Sequence, residues 1–278
     1  MPIKKLLSAF IITIFCASAA KAQDTTHNKS SYFKLATNYL TNSVYNGRKD
    51  SVTLPYITPS IGYYDKSGFF VSGSLSYLAA TADSRIDLFT LETGYDFTIN
   101  NKLSGGIYGS KYFYNTSSTA VTSQTKGGLG ANLIYDPGFV TVSGGIDLSF
   151  ASKTDVNVSA AIAHGFYFGE KGNEWGVTPT ISTNLGTQNS YQDYVKKRKS
   201  KGSGNSTVQT NNSSNFAILD YELSLPITYD GNKWGLFLTP IYAIPQNPIS
   251  VAASTGSGYT IEKLENTFYA QFGVYVKF

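Results

Sequence analysis

The sequence holds one cysteine, Cys16, and two histidines, His27 and His164. A single cysteine excludes an internal disulfide framework, so the fold must rest on hydrogen bonds and burial. The same scarcity excludes the His/Cys clusters of zinc sites. No G-x-x-x-x-G-K occurs, and no G-x-G-x-x-G opens a helix, so the phosphate-cradling loops are missing too. No cofactor is expected from any motif. Charged residues make up only 14% of the chain, against about 25% in soluble proteins. After the first 22 residues there is no apolar run near the roughly 20 residues that a spanning helix needs.

Those first residues read as a targeting segment. MPIKK supplies positive charge, LLSAFIITIFCASAA an apolar core, and Ala20-Lys21-Ala22 a small-x-small cleavage site. Residues 1–22 are therefore expected to be a cleaved signal peptide and 23–30 a flexible tail. The bulky Phe15 before Cys16 argues against a lipid anchor there. Removal takes away Lys4, Lys5 and Lys21 from the 22 bases and leaves 19 against 18 acids. A near-neutral exported chain gives no reason to expect nucleic acid as a partner.

What is present in quantity is aromatic: 21 Tyr and 17 Phe. From residue 31 onward the chain divides into twelve alternating segments: 31–41, 52–64, 69–79, 86–98, 103–114, 126–136, 139–150, 155–168, 174–187, 215–229, 233–245 and 264–278. Every second connection is short and rich in turn formers: DKSG (65–68), NNK (100–102), DPG (136–138), EKGNE (170–174) and DGNK (230–233). Most of the others are longer, among them 42–51, 116–125, 188–214 and 246–263. Short turns on one side, longer loops on the other and an even strand count are the pattern of a membrane barrel.

The faces agree. In 69–79, Phe69, Val71, Leu75 and Tyr77 alternate with Ser72, Ser74 and Ser76. In 215–229, Leu219, Tyr221, Leu223, Leu225, Ile227 and Tyr229 oppose Asp220, Glu222, Ser224 and Thr228. Tyr63, Tyr64, Phe69, Phe97, Phe166, Tyr167, Trp175, Tyr229 and Trp234 gather at the short turns, as an interfacial girdle would. Tyr112, Phe113, Tyr114, Tyr191 and Tyr242 are candidates for the opposite girdle. Pro55, Pro59, Pro179, Pro226 and Pro240 fall inside segments, where each removes a ladder donor and predicts a bulge or break.

A signal segment, twelve alternating segments and a terminal FGVYVKF resemble a Gram-negative outer-membrane β-barrel over 31–278. The stretch VYNGRKDSVTLPYITPSIGYYDKSGFFVSGSLSYL (44–78) is similar to uncharacterised barrel proteins of the Bacteroidota. The first resemblance implies an all-β fold, a single antiparallel transmembrane barrel of twelve strands. It implies an outer-membrane location, with outer-membrane lipid and lipopolysaccharide as neighbours. It also implies that Phe272, Val274, Val276 and Phe278 are read as an assembly signal by the barrel-assembly machinery.

By parity the lumen should carry Glu92, Asp96, Asp147, Asp220 and Glu222, with Lys277 and also Lys34 as candidate basic partners. Two readings follow: acids paired with bases as a structural plug, or a carboxylate constriction that prefers cations. His164, in AAIAHGFYF, falls on the apolar face without a Ser beside it, and no catalytic motif is found. Lys196, Lys197, Arg198, Lys199 and Lys201 form a basic cluster in the longest loop, either simply solvated or gripping an anionic surface. The functional expectation is a narrow passive channel or solute transporter. The alternatives are a non-conducting structural or surface-binding barrel that uses loop 188–214, and an outer-membrane enzyme acting on lipid or peptide.

Overall fold

The computed structural model describes residues 30–49, 52–80, 83–120, 122–170, 172–191, 210–211, 213–252 and 259–278. The signal expected at 1–22, the tail expected at 23–30 except Ser30, and the basic cluster 196–201 lie outside them. The described chain forms one closed, antiparallel, twelve-stranded barrel.

The first seven staves are uninterrupted, with a short hairpin between the first and the second. β1 (Tyr32–Leu40) is followed by the two-residue strands β2 (Val44–Tyr45) and β3 (Arg48–Lys49). Then come β4 (Tyr56–Tyr64), β5 (Phe69–Ala80), β6 (Asp83–Thr98), β7 (Leu103–Tyr114), β8 (Gly127–Tyr135) and β9 (Thr141–Phe150). The next three staves are each broken in two. β10 (Thr154–Ala163) runs on into β11 (Phe166–Glu170), β12 (Asn173–Val177) into β13 (Thr180–Gly186), and β15 (Ala217–Ser224) into β16 (Ile227–Gly231). β17 (Trp234–Pro245) and β20 (Thr267–Lys277) complete the ring, and β20 pairs with β1 to close it, with Leu35 opposite Val276. β14 (Thr210–Asn211), β18 (Ser250–Ala252) and β19 (Tyr259–Ile261) make a small separate sheet in the long loops.

Proline explains the broken staves. Pro179 and Pro226 sit at two of the three breaks, and the third is at His164–Gly165. The breaks lie side by side: His164 N–H donates to the Pro179 carbonyl, Thr178 N–H to Pro226, and Leu225 N–H to Pro240. A proline can accept in this row but cannot donate. Two of the sequence expectations fail here: Pro55 precedes β4, and Pro240 lies inside a continuous strand, where its carbonyl still pairs. At Pro59 the expected local disruption is present, since Thr58 and Pro59 have no partners in the β4–β5 ladder.

The polarity is that of a membrane wall. Ile61, Leu75, Leu91, Ile107, Leu129, Ile146, Ile181, Leu223 and Phe272 are exposed on the outside. Ser72, Ser74, Ser76, Thr90, Ser143, Ser159 and Gln271, from the alternate positions, are buried inside. An outer surface this apolar calls for lipid. The ring of paired strands closes through β17 and β20, and β11 pairs on one side, with β12. The turn-end girdle is real for Tyr63, Phe69, Phe166, Trp175, Tyr229 and Trp234, and Tyr229 packs on both tryptophans at 5.1 and 4.8 Å between ring centroids. Tyr64 is the correction at that end, since it points inward. At the loop end Phe113 and Tyr242 face out, but Tyr112 is buried inside the barrel.

The interior is fuller than a face of small hydroxylic residues suggests. At the turn end Tyr32 stacks on Tyr64 at 5.1 Å and Tyr64 on Phe70 at 5.8 Å, with Tyr108 against them. Toward the loop end a second cluster joins Leu40, Val44, Leu54, Tyr56, Leu78, Ile241, Ala243 and Tyr269.

Candidate functional site in the lumen

The five sequence-selected acids all come from strands whose apolar partners face out, so alternation alone turns them inward. Glu92 on β6 is 3% exposed; its Oε2 accepts from Ser110 Oγ at 2.9 Å, and Oε1 has no side-chain or backbone donor. Asp147 on β9 is half-buried and accepts from the Tyr108 hydroxyl. Asp220 on β15 is 0% exposed; Oδ1 accepts from Asn184 Nδ2 at 2.7 Å, and Oδ2 is unpartnered. Glu222, two residues on, accepts from Tyr269 Oη at 2.9 Å. Asp96, half-buried near the turn end, lies beside Gly106. For Glu92, Asp147, Asp220 and Glu222 the donors are all neutral hydroxyls or amides.

The bases sit elsewhere. Lys277 and Lys34 are direct cross-strand partners at the turn end. Lys277 Nζ lies 4.5 Å from the Tyr275 ring centroid, and Lys34 Nζ lies 5.7 and 5.4 Å from those of Tyr64 and Tyr275. Tyr275 donates in turn to Asp230. The acid in this corner is thus Asp230, which the sequence reading left in a turn. β16 runs to Gly231, two residues past the expected strand end, and that carries Asp230 into the barrel.

Two bulges hid further residues. The β5–β6 register shifts between Ser76 and Tyr77, so Asp87 is an extra residue that flips inward. It accepts from Tyr56 Oη at 2.6 Å, Ser118 Oγ at 2.7 Å and Arg85 Nε at 2.8 Å. The β13–β15 register shifts between Asn184 and Leu185, and Leu219, expected on the lipid face, is fully buried beside Asp220. Parity counted from one end of a strand cannot survive an inserted residue.

The entry loop supplies what the sequence reading missed entirely. β2 and β3 form a hairpin around Asn46 and Gly47, with φ of +48° and +73°. That is the Asn-Gly signal of a two-residue type I′ turn, carried by VYNGRK within the connection expected at 42–51. The hairpin leaves the wall between β1 and β4 and reaches the far side. Asn46 Nδ2 donates to Asn157 Oδ1 on β10 at 3.1 Å, and Asn157 Nδ2 donates to Tyr45 Oη at 3.2 Å. Gly47 lies so close to Pro245 and Asp220 that a Cβ there would come within 2.8 and 3.0 Å of them. The tip therefore spans the bore directly above the Asp220/Glu222 pair.

Arg48 secures it. Its guanidinium meets both carboxylate oxygens of Glu262, at 3.1 and 3.3 Å from Nε, and the carbonyls of Gln246 and Asn247 at 3.3 and 2.9 Å from Nη2. The Tyr191 ring lies 5.3 Å from it. Next to it Asp155 accepts from Thr187 Oγ1 and from the backbone N–H of Asn189 and Ser190, at 2.6–2.7 Å, and so fixes the root of the longest loop. Tyr191 belongs to this cap rather than to a girdle.

The lumen is consequently lopsided. The side built by β17, β20, β1, β4 and β5 is packed with aromatic and aliphatic side chains. The side built by β8–β13 keeps half-exposed polar groups: Asn132, Asp147, Asn157, Ser182 and Asn184. Outside the barrel, His164 is exposed, with Nδ1 2.6 Å from the Phe139 carbonyl and its ring edge-on to Phe166. Phe272, Val274, Val276 and Phe278 are exposed on the outer face of the terminal stave. Among the described residues no group of three or more His, Cys, Asp or Glu is arranged to hold a metal.

No protein-family profile and no curated protein matches the sequence. The fold is similar to that of the KdgM porin, with a TM-score of 0.51 at 9% identity, covering 88% of this chain and 99% of that one. LpxR from Salmonella typhimurium aligns at a TM-score of 0.46 and 12% identity, over 88% and 100% of the two chains. At 9% identity the likeness to the KdgM porin shows the fold alone, a closed antiparallel β-barrel.

Proposed function

We propose that the chain is a narrow, cation-preferring passive channel in the outer membrane of a Gram-negative bacterium. The observation that carries this reading is the chemistry around Glu92, Asp147, Asp220 and Glu222. Their hydrogen-bond donors are hydroxyls and amides rather than bases, and Arg48 of the hairpin is the base that acts on Asp220. A lumen in which carboxylates outnumber the bases near them, Arg85 at Asp87 and Arg48 near Asp220, favours cations over anions. The half-exposed slot along β8–β13, with Asp147 in it, is the path a small solute would follow.

A second reading is favoured by the hairpin and the aromatic filling: a non-conducting barrel that works through its outside loops. In that case the basic residues Lys196, Lys197, Arg198, Lys199 and Lys201 contact lipopolysaccharide phosphates. Under either reading Phe272, Val274, Val276 and Phe278 serve the assembly machinery as well as the wall.

Conductance of the refolded protein in a planar bilayer separates the two. Discrete steps with a reversal potential on the cation side, moved toward zero by Asp147→Asn, support the channel. Silence with insertion confirmed by protease protection leaves the surface-binding barrel.

A further inference from the structure

We propose that the hairpin Val44–Lys49 is a hinged stopper, closed by the Arg48–Glu262 ion pair and seated on Asp220. It rests on the channel reading and adds to it the element that controls the pore.

The loop divides into a fixed neck and a reaching tip. The neck is anchored to the wall: Ser43 N–H donates to the Leu54 carbonyl at 3.0 Å, Leu54 N–H to Asn42 Oδ1 at 2.9 Å, and Thr41 N–H to the Ala270 carbonyl at 3.0 Å. Val44 and Leu54 are buried in the upper apolar cluster. Beyond that neck the described contacts of the tip are mainly polar, with Gly47 lying against Pro245. Tyr45, Asn46 and Arg48 hold it by side-chain hydrogen bonds to Asn157, to Glu262 and to two loop carbonyls. A type I′ hairpin is internally paired, so it can move as a unit without exposing unpaired backbone.

The closing contacts are electrostatic and shared between loops. Arg48 is 4% exposed and its ion pair is almost dry, with side-chain exposures of 3% and 13%. Loss of one member of a buried pair leaves the other charged and unpaired, which strongly favours a rearrangement that rehydrates it. Lifting the tip does that for Arg48. It also opens Asp220, whose Oδ2 is buried without a partner beneath Gly47. Asp220 and Glu222 would then face the slot with Asp147, and the carboxylate lining of the pore becomes continuous only in the lifted state. The stopper and the selectivity element therefore meet at one residue.

The test is planar-bilayer current at a fixed number of inserted barrels. The variants are Arg48→Ala, Glu262→Gln and a full-length double variant, Asn46→Cys with Asn157→Cys. Both cysteine positions are in side-chain contact, but a hydrogen-bonded pair of asparagines holds Cβ atoms too far apart for a direct disulfide. A short bis-methanethiosulfonate bridge spans them and is released by reductant. The expected result is rare openings in the parent protein and a rise in mean current on the order of tenfold or more for Arg48→Ala and Glu262→Gln. The bridged double variant should be silent and should recover on reduction. Arg48→Lys, which keeps the charge, should stay near the parent and guards against a mere folding defect. Equal currents from the parent, Arg48→Ala and the bridged double variant would overturn the stopper and leave the channel standing. Silence from every variant, with insertion confirmed, would overturn both.

Discussion

Tyr108 on β7 donates to Asp147 on β9 by passing over the bare backbone of Gly130 on β8. The register makes this a straight line of three residues: Tyr108 is paired with Gly130, and Gly130 with Asp147. The same line recurs at the turn end, where Tyr275 on β20 passes over Gly235 on β17 to reach Asp230 on β16. In both cases the glycine is needed because a side chain would occupy the place of the phenol ring.

The first prediction concerns those glycines. Gly130→Ala should expel the Tyr108 ring and strip Asp147 of its donor. Overpacking of this kind costs about 1–3 kcal/mol. The loss should appear as a lower urea midpoint in micelles. Adding Tyr108→Phe to Gly130→Ala should cost little more, because both changes remove one interaction. Full additivity would show that the ring and the glycine act independently.

The second concerns ion selectivity. Asp147 is half-exposed in the slot, whereas Glu222 is 4% exposed and hydrogen-bonded to Tyr269. Asp147→Asn should therefore reduce cation preference more than Glu222→Gln does in the parent protein. In a chain freed of its hairpin contacts by Arg48→Ala, the effect of Glu222→Gln should grow. Reversal potentials under a salt gradient read both. An identical shift from the two single variants would sink the idea that exposure ranks the carboxylates.

How much of this was legible in the sequence depends on what alternation can carry. Period-2 patterning located all twelve staves, and the wall positions Leu75, Leu223 and Phe272 face out as expected. It placed Glu92, Asp147 and Glu222 inside because no bulge separates them from the apolar neighbours used to count. Asp87 and Leu219 were lost at register shifts, which depend on the neighbouring strand and leave no mark in the strand's own pattern. Lys277 was visible, but not its corner with Asp230, since that pairing joins residues 47 positions apart through the Tyr275 hydroxyl. The hairpin was legible in principle: Asn46-Gly47 is a turn signal. That it folds inward is tertiary information, fixed by Glu262 and Asn157 from distant loops and staves.

A third prediction addresses pH at the first tight turn, outside the membrane. Asp65 Oδ1 accepts from Ser67 N–H at 2.8 Å and Oδ2 from Ser31 Oγ at 2.7 Å. These bonds, those from Ser67 foremost, hold its carboxyl below the usual range. A depressed folded pKa adds stability above the unfolded value of about 3.9, and that stability is lost as pH falls through the folded value. Asp65→Asn should lower the urea midpoint at neutral pH, and the gap to the parent should shrink steadily on acidification. A gap that does not change with pH would mean that the charge contributes nothing there.

A fourth concerns the same turn's glycine. Gly68 has φ of +109°, and the Asp96 N–H donates to its carbonyl at 2.9 Å. A Cβ at this position would collide with the Asp96 carbonyl. Gly68→Ala should destabilise through both the backbone conformation and that clash, by more than the roughly 1 kcal/mol of an ordinary strained turn. Gly138, also at positive φ but with open space around it, is the control. Gly138→Ala should lose only the conformational part, so the difference between the two variants isolates the clash.

The last prediction tests the wall itself. Leu75 lies in the middle of β5, exposed, with the outward Phe89 opposite it on β6. If this surface meets hydrocarbon, Leu75→Arg buries a charge at mid-depth. The cost on a barrel's lipid face is about 2–4 kcal/mol at the midplane and falls toward zero at the interfaces. Tyr63, outward at the turn end, sits where a cationic side chain can reach water. Tyr63→Arg should therefore cost only the loss of its hydrogen bond to Asp65 and its contact with Phe33, well below the mid-depth penalty. Reversible unfolding from lipid vesicles measures both. A steep difference between the two positions follows from a membrane wall, because it remains after the Tyr63 Oη hydrogen bond to Asp65 and the Phe33 ring contact are also lost at the shallow position. Equal and small effects would describe a surface in water, and the lipid-facing assignment of the outer face would fall with them.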